Sequence, residues 1–342
     1  MYKACVIGIG QIGYTIDSNP TREFIWSHTK AYKHHPIVDL VAISDPDNGI
    51  CEDFNKDYPQ VKTYSNHLEM FSKNDIQIVS ICAPTLFHLS IVKEVADYSS
   101  IRALFIEKPV GNSLEESTEI QKICDANNII LASNYMRRWD HKYQYVKEVI
   151  ESRSLGNLQT IVAYGATSLL TSASHLVDLM LFFGGKTKWV IGELQEDYVR
   201  KVNDIQDHGG VAFIGFINGG HGFLKATSKN DENFMLELDI LFEDGRVTIG
   251  ESWDDNDQSI LNIMKFQPRS SDPNGLYKTL KTISDKNTLT SNERMIDAIS
   301  DIIDCIESDN NNPASNGRSA VAVHKIIRDI KQSSLTQQII IS

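Results

Sequence analysis

Short apolar segments alternate with stretches of helical periodicity in the first part of the chain, up to about Asn134. Such alternation is typical of βαβ units, in which helices connect the parallel strands of one sheet. The apolar segments predict strands at Lys3–Ile7, Leu40–Ile43, Val61–Tyr64, Gln77–Cys82, Ala103–Ile106 and Ile129–Ala132. We therefore predict a doubly wound parallel sheet for residues 1–134.

From Leu158 onward the segments become rich in β-branched and aromatic residues and follow one another through short turns such as Asn218–Gly220. Short turns favour an antiparallel or mixed sheet. The predicted strands are Thr160–Tyr164, Trp189–Leu194, Val211–Ile217, Gly222–Ala226, Met235–Phe242 and Arg246–Ile249. A chain of 342 residues is longer than one hydrophobic core usually supports. We therefore predict a second, α+β domain over residues 135–342, with a large open, mostly antiparallel sheet.

Two further helices are predicted near the end of the chain. Thr290–Glu293 has the spacing of a capping box, and apolar residues follow at helical intervals: Met295, Ala298, Ile299, Ile302 and Ile303. Similar spacing predicts a final helix around Ala320–Ile330. Their apolar stripes must be covered, and we expect the helices near residues 290–330 to pack back on the first domain.

Charge and cysteine usage narrow the possible partners. The chain has 33 Lys and Arg against 45 Asp and Glu residues, a net charge of −12, so we expect neither nucleic acid nor a membrane as partner. Five cysteines without C-x-x-C spacing predict reduced thiols, with no disulfide framework and no metal site. Neither a signal segment nor a bilayer-spanning apolar run is found, so we expect a cytoplasmic protein.

A G-x-G-x-x-G sequence, Gly8-Ile9-Gly10-Gln11-Ile12-Gly13, directly follows the first predicted strand. In a dinucleotide-binding fold the first glycine permits a tight turn, the second lets the backbone approach the pyrophosphate, and the third lets helix and strand pack closely. The phosphates then lie at a helix N-terminus. This motif in this position predicts that Gly8, Gly10, Gln11, Ile12 and Gly13 bind a dinucleotide cofactor.

Asp45 closes the second strand and can accept hydrogen bonds from the adenosine ribose hydroxyls. Its charge would repel a 2′-phosphate, and no Arg or Lys follows before Lys56, so NAD is favoured over NADP. The alternative is an aspartate that merely opens the turn before Pro46. The gap from Gly13 to Asp45 exceeds the usual roughly twenty residues, so Tyr14–Trp26 is interpreted as an insertion, either a lid or a surface elaboration.

Several short motifs occur in an order that resembles one family. They are Phe105-Ile106-Glu107-Lys108-Pro109-Val110, Ile81–Thr85 with His88, Asn134–Arg138, His175–Asp178 ahead of Gly184-Gly185, and Pro313–Arg318. Together they are similar to the Gfo/Idh/MocA oxidoreductases. The resemblance implies a Rossmann domain followed by a domain whose open sheet commonly forms the contact of a homodimer or homotetramer. It also implies that Lys108 and His175 meet over the nicotinamide.

The resemblance assigns the reaction chemistry to Lys108 and His175, because a dehydrogenase must remove a hydroxyl proton while a hydride leaves the same carbon. Asp178, at i+3 from His175 on a helix, either orients the substrate or the lysine, or is a helix-surface carboxylate. The inositol-dehydrogenase branch has an aspartate four residues before this histidine, where this chain has Thr171. We therefore take Lys108 as the main acid/base, with His175 positioning the substrate or assisting.

The remaining site residues also come from the resemblance. Pro84, Thr85 and His88 are expected around the nicotinamide ribose, and Glu107 either faces the cofactor or is a structural carboxylate. Arg138, at the crossover into the second domain, either holds an anionic substrate group or faces solvent with Arg137. Thr171, like Arg138, is predicted to bind the substrate.

These expectations combine into an NAD-dependent oxidoreductase for a secondary alcohol or ketone of a sugar or sugar derivative, including a nucleotide-linked sugar of surface-polysaccharide biosynthesis. Two alternatives stay open. One is a lyase or glycosidase that oxidises its sugar transiently with tightly held NAD. The other is a non-catalytic sensor of NAD or sugar, against which the presence of both Lys108 and His175 argues.

Overall fold

The computed structural model describes residues 1–19, 22–202, 205–227, 229, 235–251, 259–272, 275–285, 292–308 and 310–342. The chain forms two compact units. The first comprises Met1–Trp139 and Asn292–Val321, and the second comprises Asp140–Ser291 and Ala322–Ser342. The domain boundary predicted after residue 134 lies close to the first junction, Trp139/Asp140.

The first unit is built on a parallel sheet of six strands among the described residues. They are β1 (Tyr2–Ile7), β2 (Val38–Ser44), β3 (Lys62–Tyr64), β4 (Ile78–Ile81), β5 (Ala103–Ile106) and β6 (Ile130–Ser133). Their order is β3-β2-β1-β4-β5-β6, and each neighbouring pair is parallel. The predicted doubly wound sheet is confirmed, with its order reversing between β1 and β4.

The helices of this unit are α1 (His28–His34), α2 (Asn48–Asp57), α3 (His67–Lys73), α4 (His88–Val95), α5 (Leu114–Ala126) and, much later in the chain, α8 (Arg294–Ser308). Side chains of Asp47, Asn66 and Ser113 cap the N-termini of α2, α3 and α5. The apolar stripe predicted for α8 is buried in the core together with Val6, Ile43 and Phe105. Thr290 and Ser291 of the predicted capping box lie outside the described residues.

The second unit contains α6 (His141–Glu151), α7 (Ser174–Gly184) and most of α9 (Gly317–Thr336). Its strands are β7 (Leu158–Gly165), β8 (Thr187–Val202), β9 (Ile205–Phe216), β10 (His221–Ala226), β11 (Leu236–Phe242), β12 (Gly245–Glu251), β13 (Ser259–Pro268), β14 (Lys278–Asp285) and β15 (Ile340–Ile341). They form one sheet ordered β14-β13-β12-β11-β7-β10-β9-β8-β15. All neighbours are antiparallel except β10 and β7, which confirms the predicted mostly antiparallel sheet.

The structure contains strand residues that were not predicted. β8 extends well beyond Leu194, and β13 and β14 were not predicted. The sequence of β14, Lys-Thr-Leu-Lys-Thr-Ile-Ser-Asp, is largely polar. This strand lies at the edge of the sheet and pairs with β13 alone. An edge strand can be polar because only backbone pairing holds it, so hydrophobic alternation does not reveal it.

One face of this second sheet is covered by helices. A Cβ on Gly222 would lie 2.5 Å from Cε of Met180 in α7, and one on Gly192 would lie 2.7 Å from Cγ2 of Ile330 in α9. Glycine at these positions lets the helices approach the strands closely. The opposite face carries exposed apolar side chains, including Ile191, Phe213 and Ile260.

Candidate active site

Backbone hydrogen bonds align the carboxyl ends of the parallel strands in one row. The N–H groups of Gly8, Cys82, Glu107 and Asn134 donate to the carbonyls of Ser44, Ile7, Ile81 and Ile106, at 2.8, 2.8, 2.9 and 2.9 Å. The glycine loop, Glu107 and the residue after it therefore share one edge of the sheet. In open parallel sheets this edge, near the point where strand order reverses, is where ligands bind.

The three glycines of the loop have different surroundings. Gly8 has a φ of +84°, and a Cβ there would lie 2.6 Å from the backbone N of Ala83. A Cβ on Gly13 would lie 2.3 Å from the carbonyl oxygen of Gly8. A Cβ on Gly10 would meet nothing within 4 Å, and Gly10 and Gln11 are exposed. The fold itself requires Gly8 and Gly13, whereas Gly10 leaves open space that fits the close approach of a pyrophosphate.

The carboxylate of Asp45 is held at this loop. Its Oδ2 accepts from the N–H of Ile9 at 2.8 Å, and its Oδ1 accepts from the N–H of Asp47 at 2.9 Å. Asp45 thus does shape the turn before α2, and it also places its charge against the glycine loop. Each oxygen retains a further lone pair, so the half-buried carboxylate can still accept from ribose hydroxyls.

The predicted insertion interrupts the helix that follows the glycine loop. The N–H groups of His28 and Thr29, at the start of α1, donate to the carbonyls of Ile12 and Gly13 at 3.1 Å each. The helix therefore resumes where the loop ended, and the residues between form an excursion. Asp17 closes the excursion by accepting from the N–H of Ser27 at 2.8 Å. Pro20 and Thr21 lie outside the described residues.

Glu107 is buried, and both of its oxygens bind groups within the unit. Its Oε1 accepts from Nδ2 of Asn134 at 2.6 Å and lies 3.1 Å from Nε2 of His28, while its Oε2 accepts from the N–H of Lys108 at 3.2 Å. Burial by itself would raise the pKa of Glu107, but hydrogen bonds from His28 and from the Asn134 amide hold that pKa below its usual value. Glu107 is therefore an ionised carboxylate beside the half-buried Lys108.

Pro84, Thr85 and His88 follow β4 at the same edge. Pro84 is exposed, and Thr85 begins a 3₁₀ turn that ends at Phe87. His88 is fully buried, with Nε2 at 2.8 Å from the carbonyl oxygen of Ala83 and Nδ1 at 3.1 Å from that of Val110. Burial lowers the pKa of His88, although these carbonyls oppose the shift. His88 therefore acts on this edge by tying together the loops after β4 and β5.

Arg138 lies in a 3₁₀ turn, Met136–Trp139, at the end of the first segment of the first unit. Arg137 and Arg138 are only 5% and 8% exposed, which excludes a solvent-facing pair. Nη1 of Arg138 donates to the carbonyl oxygen of Ala314 at 3.0 Å. Part of its guanidinium thus holds the loop before α9.

Thr171, His175 and Asp178 belong to the second unit, around the N-terminus of α7. His175 is half-buried and Asp178 is 1% exposed, so the helix-surface alternative for Asp178 is wrong. The N–H groups of Leu170 and Thr171 donate to the buried carboxylate of Asp207 in β9, at 2.8 and 2.9 Å. Asp207 was not predicted, because the two N–H groups that it binds lie 37 and 36 positions away in sequence and no motif marks it.

The sequence predicted no disulfide framework, no metal site and no membrane-spanning segment. All five cysteines are free thiols, four buried and Cys82 partly exposed. Within the part of the chain that the structure describes, no group of His, Cys, Asp and Glu side chains is arranged to hold a metal ion. None of the helices in those residues has the length and apolar character needed to cross a membrane.

The parallel sheet, its glycine loop and the carboxylate after β2 define the first unit as a dinucleotide-binding Rossmann domain. Residues 2–135 match the profile of an oxidoreductase family with an NAD-binding Rossmann fold, the Gfo/Idh/MocA family. The Rossmann domain of this chain thus matches that of the Gfo/Idh/MocA oxidoreductases, and over these residues the family recognised from the order of the motifs is confirmed.

Three relatives in sequence are each 21–26% identical to this chain. The chain is 21% identical to scyllo-inositol 2-dehydrogenase (NAD(+)) of Bacillus subtilis over 266 residues, 72% of this chain and 73% of that protein. It is 26% identical to 2,7-anhydro-N-acetylneuraminate hydratase of Mediterraneibacter gnavus over 215 residues, 62% of this chain and 54% of that protein. A match to the uncharacterized oxidoreductase YrbE of Bacillus subtilis, 25% identical, covers 44% of this chain and 40% of that protein.

Similarity to solved structures extends over the whole chain. The WlbA dehydrogenase from Bordetella pertussis, solved in complex with NADH and UDP-GlcNAcA, aligns with a TM-score of 0.76 and 19% identity. The alignment covers 99% of this chain and 98% of that chain. At this identity the likeness concerns the fold.

Proposed function

We propose that this protein is an NAD-dependent dehydrogenase or ketoreductase, which moves a hydride between nicotinamide and a secondary alcohol or ketone of a sugar or sugar derivative. The observation that carries the proposal is the Glu107–Lys108 pair. A half-buried lysine directly follows a buried, ionised carboxylate on the sheet edge that also carries the Gly8–Gly13 loop. This combination supplies a proton-transfer group next to a dinucleotide site.

Oxidation of a secondary alcohol breaks a C–H and an O–H bond, and the bound NAD supplies the hydride acceptor. The proton from O–H needs a base, and we assign that role to the Lys108 amine, which returns the proton in the reverse direction. His175 assists by holding the substrate oxygen. Asp178, buried one helical turn later, orients the substrate or Lys108.

The substrate class is proposed from the relatives and from two side chains. One relative is named as an inositol dehydrogenase, and the WlbA structure contains a nucleotide-linked sugar acid. Arg138 is a buried guanidinium that could hold an anionic group of such a substrate, and Thr171 offers a hydroxyl. We therefore propose a polyol, sugar or nucleotide sugar, the last serving surface-polysaccharide synthesis.

NAD is the proposed cofactor because Asp45 keeps a negative charge beside the glycine loop. Replacing Asp45 by alanine is expected to weaken NAD binding about 10- to 100-fold, the effect of losing hydrogen bonds to a charged group, and to relieve the repulsion of NADP. The ratio of the two dissociation constants, measured by calorimetry, tests this. Asp53→Ala removes an equal charge from a carboxylate that is 67% exposed on α2, and its ratio should equal that of the wild type. A wild-type preference for NADP would contradict the assignment.

The proposed reaction is tested by mixing the NAD complex with polyols, free sugars, sugar acids and nucleotide sugars while recording NADH absorbance. Growth of absorbance with one class identifies both the reaction and the substrate class. NAD binding without any absorbance change across the panel would contradict a net dehydrogenase.

A second candidate is a lyase or glycosidase that oxidises the sugar transiently, favoured by the similarity to a hydratase. Tightly held NAD would be reduced and reoxidised within each turnover, so product would form without net NADH. Solvent deuterium would then enter the carbon next to the transient ketone. A sensor is less well supported, because it needs neither Lys108 nor His175.

We also propose that the chain forms a homodimer or homotetramer through the uncovered face of the second sheet. Strand register places Ile191, Phe213, Phe223 and Val162 side by side on that face, and Phe213 is 54% exposed. An apolar row of this kind is typical of a protein interface. Phe213→Glu is expected to yield monomers in sedimentation analysis. Leu335→Glu, at an 82% exposed position on α9, should keep the wild-type assembly.

A cytoplasmic location stays our proposal. All five cysteines are unpaired thiols in the structure, as expected for a protein that works in a reducing compartment. Fractionation of cells that produce the protein tests this.

A further inference from the structure

A chain of buried polar side chains runs behind Lys108 through the first unit. Nδ1 of His28 lies 2.7 Å from Oγ of Ser80, and Oγ of Ser80 lies 2.8 Å from the hydroxyl of Tyr32. Nε2 of His28 lies 3.1 Å from Oε1 of Glu107, whose other oxygen binds the N–H of Lys108. His28, Ser80 and Tyr32 are completely buried. Elements α1, β4 and the end of β5 thus meet in one hydrogen-bonded network.

The donors and acceptors in this network can be assigned in order. An ionised Glu107 only accepts, so Nε2 of His28 carries a hydrogen and donates to it. Burial raises the pKa of Tyr32, which keeps its hydroxyl protonated as a donor. Tyr32 then donates to Ser80, Ser80 donates to Nδ1 of His28, and His28 donates to Glu107. With a neutral imidazole, each of these polar hydrogens makes one hydrogen bond. The series of donors ends at the Glu107 carboxylate, which also accepts from the Lys108 N–H.

Packing limits the movement of the imidazole. The His28 ring lies 4.6 Å from the ring of Phe105, the residue two positions before Glu107 in β5. The backbone of His28 is fixed by its hydrogen bond to Ile12 of the glycine loop. A single residue therefore links the cofactor loop to the strand end that carries Lys108.

We propose that His28 is a positioning residue: through Glu107 it fixes the backbone at Lys108, and so the place of the Lys108 amine relative to the dinucleotide loop. This inference rests on the proposed function of Lys108. It assigns no contact between His28 and substrate. Displacement of a reacting group by about 1 Å can cost roughly 100-fold in rate, so fixing this strand end has a kinetic consequence.

Two substitutions of His28 separate positioning from packing. Both Gln and Asn remove the ring and its contact with Phe105, but the Gln amide nitrogen reaches the place of Nε2, whereas the Asn amide reaches only that of Nδ1. His28→Gln therefore keeps a donor for Glu107, and His28→Asn loses it. We expect His28→Asn to lower kcat about 10- to 100-fold with little change in KM for NAD, and His28→Gln to stay within about threefold of the wild type.

The rate of amide hydrogen exchange at Lys108, measured without cofactor, reports directly how well the backbone N–H of Lys108 is held in its hydrogen bond. We expect it to be about tenfold faster in His28→Asn than in wild type or His28→Gln. Equal exchange in the two His28 variants would overturn the proposal. If neither variant folds, Glu107→Gln decides instead. Its amide oxygen stays with the two donors, His28 and Asn134, so its NH2 group takes the place of the oxygen that accepts from the Lys108 N–H. Wild-type exchange at Lys108 in this variant would also overturn the proposal. Exchange needs no substrate, so an inactive wild type would count against the proposed function and not against the positioning.

Discussion

Replacement of Lys108 by alanine is expected to lower kcat for hydride transfer by about 10²- to 10⁴-fold, the usual contribution of a positioned acid/base group. NAD affinity should stay within about threefold of the wild type, since the glycine loop and Asp45 hold the cofactor through other atoms. Stability should change little, because Lys108 is only half-buried. Turnover, calorimetric NAD binding and thermal unfolding of one preparation measure the three effects.

Two further variants make the Lys108 result specific. Lys122→Ala removes an exposed lysine from α5 of the same unit and should leave kcat unchanged. His175→Ala should cost less than Lys108→Ala, because His175 lacks the upstream aspartate of the inositol-dehydrogenase branch and has an assisting role here. A larger loss from His175→Ala than from Lys108→Ala would reverse the two assignments.

Substitution of the loop glycines is expected to separate cofactor binding from folding. Gly10→Ala should unfold at the wild-type temperature but bind NAD about 10- to 100-fold more weakly, because the new methyl group enters the space that the pyrophosphate needs. Gly8→Ala should lower the stability of the protein itself by several kcal/mol. The new Cβ would collide with the backbone of Ala83, and the alanine would have to adopt a positive φ. Thermal unfolding without cofactor and calorimetry with NAD measure the two effects.

Gly219→Ala provides the control for backbone strain. Gly219 has a φ of +94°, but a Cβ there would meet nothing within 4 Å, so its replacement costs strain alone, roughly 1–3 kcal/mol. Gly8→Ala should cost clearly more than Gly219→Ala. Normal NAD affinity of Gly10→Ala would show that the dinucleotide does not approach this loop, and would contradict the cofactor site.

Strands and helices that are marked by a short apolar run or by regular apolar spacing were predicted with nearly correct limits. The strand Ala103–Ile106 has the same limits in the structure as in the prediction, since a short continuous apolar run marks a strand buried on both faces. The stripe of α8 was predicted residue by residue from its helical spacing. In contrast, β14 and the extension of β8 are polar and depend on pairing with distant strands, which no local pattern reports.

The sequence by itself determined the doubly wound domain, the glycine loop, Asp45 and the Glu107–Lys108 pair, because each depends on residues adjacent in the chain or on a short period. Only the tertiary structure decided that Asp178 and Arg138 are buried, that Asp207 holds the residues before α7, and that His28 binds Glu107. His28 lies 52 positions from Ser80 and 79 from Glu107. Their contact follows from the order of β1, β4 and β5 in the sheet and from where α1 resumes, and sheet order joins residues that no local spacing relates.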